Sequence, residues 1–375
     1  MKIGVLKEPQ GENRVAFLPE GVTELINQKV DVSVEKGAGK RAFVTDEDYK
    51  NVGAEITDAK SIFSDCEIVI RISAFTSDEV KKFKPGQVVL SVLNPLTNHS
   101  LVQELAEANI TSFSLDTIPR ITRAQTMDIL SSMATIAGYK AVLEAASYLP
   151  TFFPMFMSAA GTIRPAKVLI LGAGVAGLQA IATSRKLGAV VEVFDVRSAV
   201  KEEVMSLGGK FIEVEGARED DAAGGYAVEQ TEEFKQKQGQ LIQDHAMKSN
   251  VVICTAQIPG KKAPVLIKKE TVENMKPGSV IIDLAASTGG NCEVTKNNEV
   301  VEINQVRVIG KSDYPSEMPM DASRMFGKNL NNFLKLIIGE EGELNLNFED
   351  EIVKGTCITN NKEIVNERVK QIIES

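Results

Sequence analysis

Tryptophan is missing from this 375-residue chain, histidine occurs only twice, and no apolar run approaches the length of a membrane span. The two histidines, His99 and His245, and the four cysteines, Cys66, Cys254, Cys292 and Cys357, lie far apart and offer no CxxC or HxxxH spacing. That scatter argues against a zinc site or a redox dithiol, so no metal is expected and the cysteines read as reduced thiols in or near the core. The densest apolar stretch, 148–160, carries two prolines and falls short of the roughly 18 to 20 residues that cross a bilayer. Residues 1–5 enter a strand pattern directly, without the apolar region of a signal peptide. A soluble, cytoplasmic polypeptide is the expectation. Positive charge is also in deficit, and the formal charge of −9 argues against a nucleic-acid partner.

What is present is alternation. Short β-rich runs at 3–6, 30–34, 67–72, 88–93 and 111–115 are separated by amphipathic stretches such as 21–28 and 101–108, the pattern of a parallel sheet covered by helices. A second series follows at 168–171, 190–194, 210–214, 251–255, 280–284 and 306–309. Residues 126–149 and 323–338 read as long helices, and 352–359 as a last β-rich segment. A chain of this length is too long for one ordinary core.

Between the run 167–171 and a helical pattern at 178–187 lies Gly172-Ala173-Gly174-Val175-Ala176-Gly177, and the next apolar run ends in Asp195. Strand, glycine turn, helix, strand and terminal acid in this order form a dinucleotide-binding unit. Gly172 permits the tight turn, Gly174 lets backbone approach a pyrophosphate, and Gly177 lets helix and strand pack closely. The phosphates meet the free N–H groups at the helix start. Asp195 would accept hydrogen bonds from the adenosine ribose hydroxyls and repel a 2′-phosphate, which points to NAD(H). Arg197, two residues on, is of the type that accommodates a 2′-phosphate; the carboxylate decides the assignment.

The fold class is therefore α/β, with two Rossmann-like domains built on parallel sheets. The chain leaves the second domain by a long helix and is expected to return to the first. The division is 1–130 plus 325–375 for a discontinuous first domain and 131–324 for the nucleotide-binding domain, with the cleft between them as default ligand site. One stretch, 215–240, is polar almost throughout; with Tyr226 following Gly224 and Gly225, it reads as a mobile loop bearing a stacking side chain.

The segment Pro119-Arg120-Ile121-Thr122-Arg123-Ala124-Gln125-Thr126-Met127-Asp128-Ile129-Leu130-Ser131-Ser132, with Gly172 to Ala180 and Asp195-Val196-Arg197, resembles the NAD(H)-binding alpha-1 subunit of proton-translocating nicotinamide nucleotide transhydrogenases. The resemblance covers essentially the whole chain. It implies direct hydride transfer between NADH here and NADP(H) held on a partner subunit. Arg120, Gln125 and Asp128, with Ser131 beside them, match the loop that holds the nicotinamide and its ribose. By spacing alone Gln125, Asp128 and Ser131 could share one helix face, or form an ordinary polar helix start. The resemblance further implies nucleotide contacts at Val175, Val196 and Arg197 and a closing loop at Gly225 and Tyr226. It places Thr255, Ala256 and Gln257 beside the nicotinamide, Gln257 being a departure from the family's apolar residue. The implied partners are a second copy in a homodimer, an NADP(H)-binding beta subunit and membrane-spanning transhydrogenase subunits, with this chain attached peripherally to the inner face of the membrane. The opening pattern also resembles alanine dehydrogenase. That chemistry needs a cationic clamp and a proton donor; Arg14 matches the arginine, but Ser73 and Asn94 stand where that family has its lysine and histidine.

Overall fold

The computed structural model describes every residue except 214–231, 259 and 375. The chain forms two compact units, Met1–Met133 with Pro315–Ser375, and Ala134–Tyr314. In chain order the strands are β1 (Lys2–Val5), β2 (Asp31–Glu35), β3 (Glu55–Thr57), β4 (Ile68–Ser73), β5 (Val88–Val92), β6 (Thr111–Ser114), β7 (Phe156–Ser158), β8 (Gly161–Ile163) and β9 (Lys167–Leu171). They continue with β10 (Val190–Phe194), β11 (Lys210–Phe211), β12 (Val251–Cys254), β13 (Val280–Asp283), β14 (Glu299–Ile303), β15 (Val306–Gly310), β16 (Cys357–Asn360) and β17 (Glu363–Ile364).

The first unit holds one sheet in the order β17-β16-β6-β5-β4-β1-β2-β3. It is parallel from β6 to β3; β16 runs antiparallel to β6, and β17 to β16. β4 is buried along nearly its whole length, as a strand covered on both faces must be, which is why it reads as an Ile/Val-rich run, interrupted only by Arg71, whose guanidinium pairs with Glu79. The helix Pro319–Leu334 presents Phe326, Leu330, Phe333 and Leu334, all fully buried, at the spacing of one helical face, and Phe333 meets Phe113 of β6 edge-on at 5.5 Å.

The second unit orders its sheet β11-β10-β9-β12-β13-β15-β14, parallel except for the β14–β15 pair. Leaving β14 aside, this is the doubly wound order, whose direction reverses between β9 and β12. The carboxyl ends of those two strands are where such sheets take ligands.

Several element boundaries differ from the sequence-based expectation. The helix predicted over 126–149 begins at Ile129, because Thr122–Met127 is a 3-10 helix and Asp128, at ψ 93°, is not helical. The helix predicted over 323–338 is Pro319–Leu334; proline suits a first turn, where its missing N–H costs nothing. The segment 352–359 divides into a helix Glu351–Thr356, capped by Asp350, and β16. The end of the expected polar loop is helical, within Glu232–Lys248, while Gly225 and Tyr226 lie outside the described residues.

Candidate nucleotide site

The three glycines of the turn do different physical work. Gly172 follows β9 at φ +103°, and a Cβ there would come within 2.5 Å of Thr255 Oγ1; its N–H donates to the Phe194 carbonyl at 2.8 Å. Gly177 lies in the first turn of the helix Val175–Lys186, and a Cβ on it would stand 1.9 Å from the Gly172 oxygen. Gly174 is the helix N-cap, without a side chain to cap it, and a Cβ there would meet nothing within 4 Å. Packing thus demands the outer two glycines, while the middle one leaves open space. The helical ladder starts with the Leu178 N–H donating to the Gly174 carbonyl at 2.8 Å, so the N–H groups of Val175, Ala176 and Gly177 precede it and carry the helix's positive end. This arrangement fits the pyrophosphate of a dinucleotide.

Asp195 stands at the end of β10 with its side chain only 6% exposed. Its carboxylate accepts from the Ala173 N–H at 2.7 Å and the Arg197 N–H at 2.8 Å. Arg197 adds Nε and Nη2, each at 3.0 Å, and the pairing raises the guanidinium further above its usual range. The arginine type that could host a 2′-phosphate is therefore turned onto the acid. Val175 and Val196 are exposed beside these groups in sequence.

At the end of β12, Thr255 Oγ1 donates to the carbonyls of Leu171 and Gly172 at 3.2 and 3.0 Å, tying that strand end to the glycine turn. Gln257 Nε2 donates to the Leu284 carbonyl at 2.8 Å beyond β13. Ala256 is held by Asn291, a fully buried side chain, which accepts from the Ala256 N–H at 3.0 Å and donates to its carbonyl at 2.9 Å. Gly172, Gly174, Gly177, Asp195 and Thr255 all belong to the second unit, at the carboxyl ends of β9, β10 and β12.

Arg120, Gln125, Asp128 and Ser131 belong to the first unit. The backbone between them is fastened from several sides. Ala124 and Met127 enter the core, Arg123 makes a two-pronged ion pair with Asp350 at 2.7 and 2.9 Å, and Asn329 and Asn332 both donate to the Thr126 carbonyl at 2.8 and 3.0 Å. Arg120 and Gln125 are exposed and make no side-chain hydrogen bond to another described residue. Asp128 accepts from the Ser131 N–H at 2.9 Å and hydroxyl at 2.6 Å, so it caps the helix Ile129–Tyr148. The three polar residues do not share one helical face, because the chain changes from 3-10 to extended to α between Gln125 and Ser131. Sequence reasoning misses Asn291, Arg123 and the asparagine clamp. Asn329, Asn331 and Asn332 within one helix are a usable signal, since asparagine is a poor helix former.

Two family models cover nearly the whole chain: alanine dehydrogenase/PNT, N-terminal domain, over residues 4–137, and alanine dehydrogenase/PNT, C-terminal domain, over 141–367. The chain belongs to the alanine dehydrogenase/PNT family. Within it, the first part of the NAD(P) transhydrogenase subunit alpha of Rhodospirillum rubrum is 46% identical over 376 aligned positions, covering 98% of each chain. A crystal structure of transhydrogenase from Sinorhizobium meliloti matches with a TM-score of 0.89 at 40% identity, over 97% of this chain and 100% of that one. Alanine dehydrogenase of Methanococcus maripaludis is 31% identical over 299 positions, 78% of this chain and 74% of its own. The alanine dehydrogenase/PNT membership makes this chain an NAD(H)-binding oxidoreductase with the two-domain, parallel-sheet α/β fold.

Arg14, which matches the arginine of the alanine dehydrogenase pattern, and Arg71, two residues before Ser73, are both engaged with acidic residues of this chain. Arg14 forms a two-pronged pair with Glu12 at 2.9 and 2.6 Å; although burial alone would raise the Glu12 carboxyl, the guanidinium brings it below its ordinary value. Arg71 is buried against Glu79 at 2.6 and 2.8 Å. Among the described residues no cluster of histidine, cysteine and acidic groups could hold a metal ion, and no helix is long and apolar enough to cross a membrane.

Proposed function

We propose that this chain is the NAD(H)-binding subunit of a proton-translocating nicotinamide nucleotide transhydrogenase. Bound NADH supplies a hydride that passes directly to NADP⁺ on a separate NADP(H)-binding beta subunit, and membrane-spanning subunits couple the transfer to proton movement. This chain's residues bind and orient, and none needs to act as general acid or base. The helix start at Gly174 to Gly177 takes the pyrophosphate, and Asp195, with Val175, Val196 and Arg197 nearby, takes the adenosine ribose. Arg120, Gln125 and Asp128, with Ser131, hold the nicotinamide and its ribose; Thr255, Ala256 and Gln257 flank the ring, and Gly225 and Tyr226 close over the nucleotide.

The observation that carries this reading is the clamped segment around Thr126. A backbone held by Asp350, Asn329 and Asn332 presents Arg120 and Gln125 with their hydrogen-bonding groups uncommitted. That is the arrangement for orienting a reacting ring, where misplacement by about 1 Å costs on the order of 100-fold in rate.

A homodimer is part of the proposal. The β7–β8 hairpin leaves Phe152, Met155, Phe156, Met157 and Ile163 exposed, with Phe152 stacked on Phe156 at 5.1 Å. Two strands alone are marginally stable in water, and a second copy of the chain is the partner that would cover them.

The deciding assay mixes purified protein with the NADP(H)-binding partner. Hydride transfer from NADH to NADP⁺, with no reaction on pyruvate and ammonia, is the expected result; alanine formation would overturn it. Gln125→Asn should keep most NADH affinity while lowering the transfer rate. Lost affinity with an unchanged rate per complex would make Gln125 a binding residue only.

A further inference from the structure

We infer that Asn291 is a positioning residue for the nicotinamide end of the cofactor site, acting through the two peptides that flank the Ala256 Cα. The inference rests on the NAD(H) reading, in which residues 255–257 flank the ring. Beyond β12 none of these residues lies in a strand or helix; the Thr255 N–H still donates to the Leu171 carbonyl at 2.9 Å, whereas the backbone of Ala256 depends on side-chain contacts. Asn291 supplies them from two directions at once. Its Oδ1 accepts from the Ala256 N–H at 3.0 Å, and its Nδ2 donates to the carbonyls of Ala256 at 2.9 Å and Pro264 at 2.8 Å. One carbonyl oxygen faces an N–H and one amide nitrogen faces two carbonyls, so only this amide orientation satisfies the set. The Ala256 N–H belongs to the 255–256 peptide and its C=O to the 256–257 peptide, so one side chain pins the peptide planes on both sides of the Ala256 Cα, and neither turns without breaking its bond.

Asn291 is itself fixed. Asp283, at the end of β13, accepts on one oxygen from the N–H groups of Asn291 and Cys292 at 2.8 and 2.9 Å and from the Thr295 hydroxyl at 2.6 Å. Its other oxygen accepts from the Ala285 N–H at 3.0 Å. The Asn291 carbonyl accepts from Leu266 and Ile267 at 2.7 and 2.9 Å. Gly290, at φ +80°, permits the close approach, since a Cβ there would lie 2.8 Å from the Asp283 carboxylate. The chain of contacts from β13 through Asp283 and Asn291 to Ala256 resembles the outer-shell support that holds reactive groups in preorganised sites.

The test separates the two ends of the nucleotide by comparing NADH with ADP-ribose, which lacks the nicotinamide. In the full-length protein, Asn291→Ala should weaken NADH about tenfold, the equivalent of about 1.4 kcal/mol, and leave ADP-ribose within about twofold. Asn291→Ser, which keeps a hydroxyl donor, should recover part of the loss and also serves if the alanine variant does not fold. Equal weakening of both ligands, or of neither, overturns the positioning role. Wild-type protein that binds ADP-ribose and NADH equally tightly overturns the underlying placement of the nicotinamide instead.

Discussion

Gly174 and Gly177 stand three residues apart, yet alanine should act on them in opposite ways. At Gly177 a methyl group would lie 1.9 Å from the Gly172 carbonyl oxygen, and this is backbone that cannot swing aside. Restoring ordinary contact requires the helix start to move away from β9 by more than 1 Å, an overpacking that costs about 1–3 kcal/mol. For a unit of this size each kcal/mol lowers the melting temperature by about 2–4 °C, so Gly177→Ala should melt roughly 2–12 °C early. At Gly174, φ is −77° and the added methyl meets nothing, so stability should stay within about 1 kcal/mol of wild type. The methyl would nonetheless occupy the space that the pyrophosphate needs. Gly174→Ala should therefore lose NADH affinity by about tenfold or more, about 1.4 kcal/mol, while melting normally. Calorimetric melting with NADH titration of each variant reads both effects. Wild-type affinity in Gly174→Ala would refute the placement of the phosphates; an unshifted melting point in Gly177→Ala would refute the packing argument.

Asp195→Asn would set an amide N–H₂ against donors from Ala173 and Arg197; a hydrogen bond to a charged group contributes about 1.5–3 kcal/mol, so NADH affinity should fall roughly 10- to 150-fold and discrimination against NADPH should shrink. Competitive titration of the two nucleotides checks this. The four thiols are buried, and burial pushes Cys66 up to about 11 and Cys292 and Cys357 up to about 12. At pH 8 the folded protein should react negligibly with a thiol-specific chromogenic disulfide and fully in denaturant; rapid labelling of the native state would contradict it. Replacing both Phe156 and Met157 with aspartate should shift sedimentation from dimer to monomer without lowering the melting temperature of the monomer, and an unaltered dimer would move the interface away from the hairpin.

Much of the fold is legible because single residues or short runs determine it. The runs of β4, β9 and β12 are dominated by Ile, Val and Leu because both faces of these sheets are covered, and local composition records that burial directly. Gly172 is legible for a similar reason, since φ +103° is open to few other residues. Elements that depend on pairing between distant or glycine-free segments are harder to read. The β14–β15 hairpin turns through Asn304 and Gln305, both at positive φ, a two-residue turn without the glycine that normally announces it. The break at Asp128 is hidden because an aspartate can cap a helix or continue one, and the choice is made by the Ser131 contacts and by Asn329 and Asn332 drawing on Thr126. Asn291 has no local signature: its partner Ala256 lies 35 positions away, and only the fold brings them together.

The antiparallel strand β16 imposes an order of events on synthesis. Its hydroxyl at Thr359 meets Ser112 on β6, 247 positions earlier in the chain. At about 5–20 residues per second, β6 must wait on the order of 12–50 s for its neighbour to be translated. The unit Ala134–Tyr314 draws its sheet entirely from its own residues and can close during that interval. The part of the protein made first is thus the part finished last, and until β16 arrives an open sheet edge at β6 is exposed to the ribosome's surroundings.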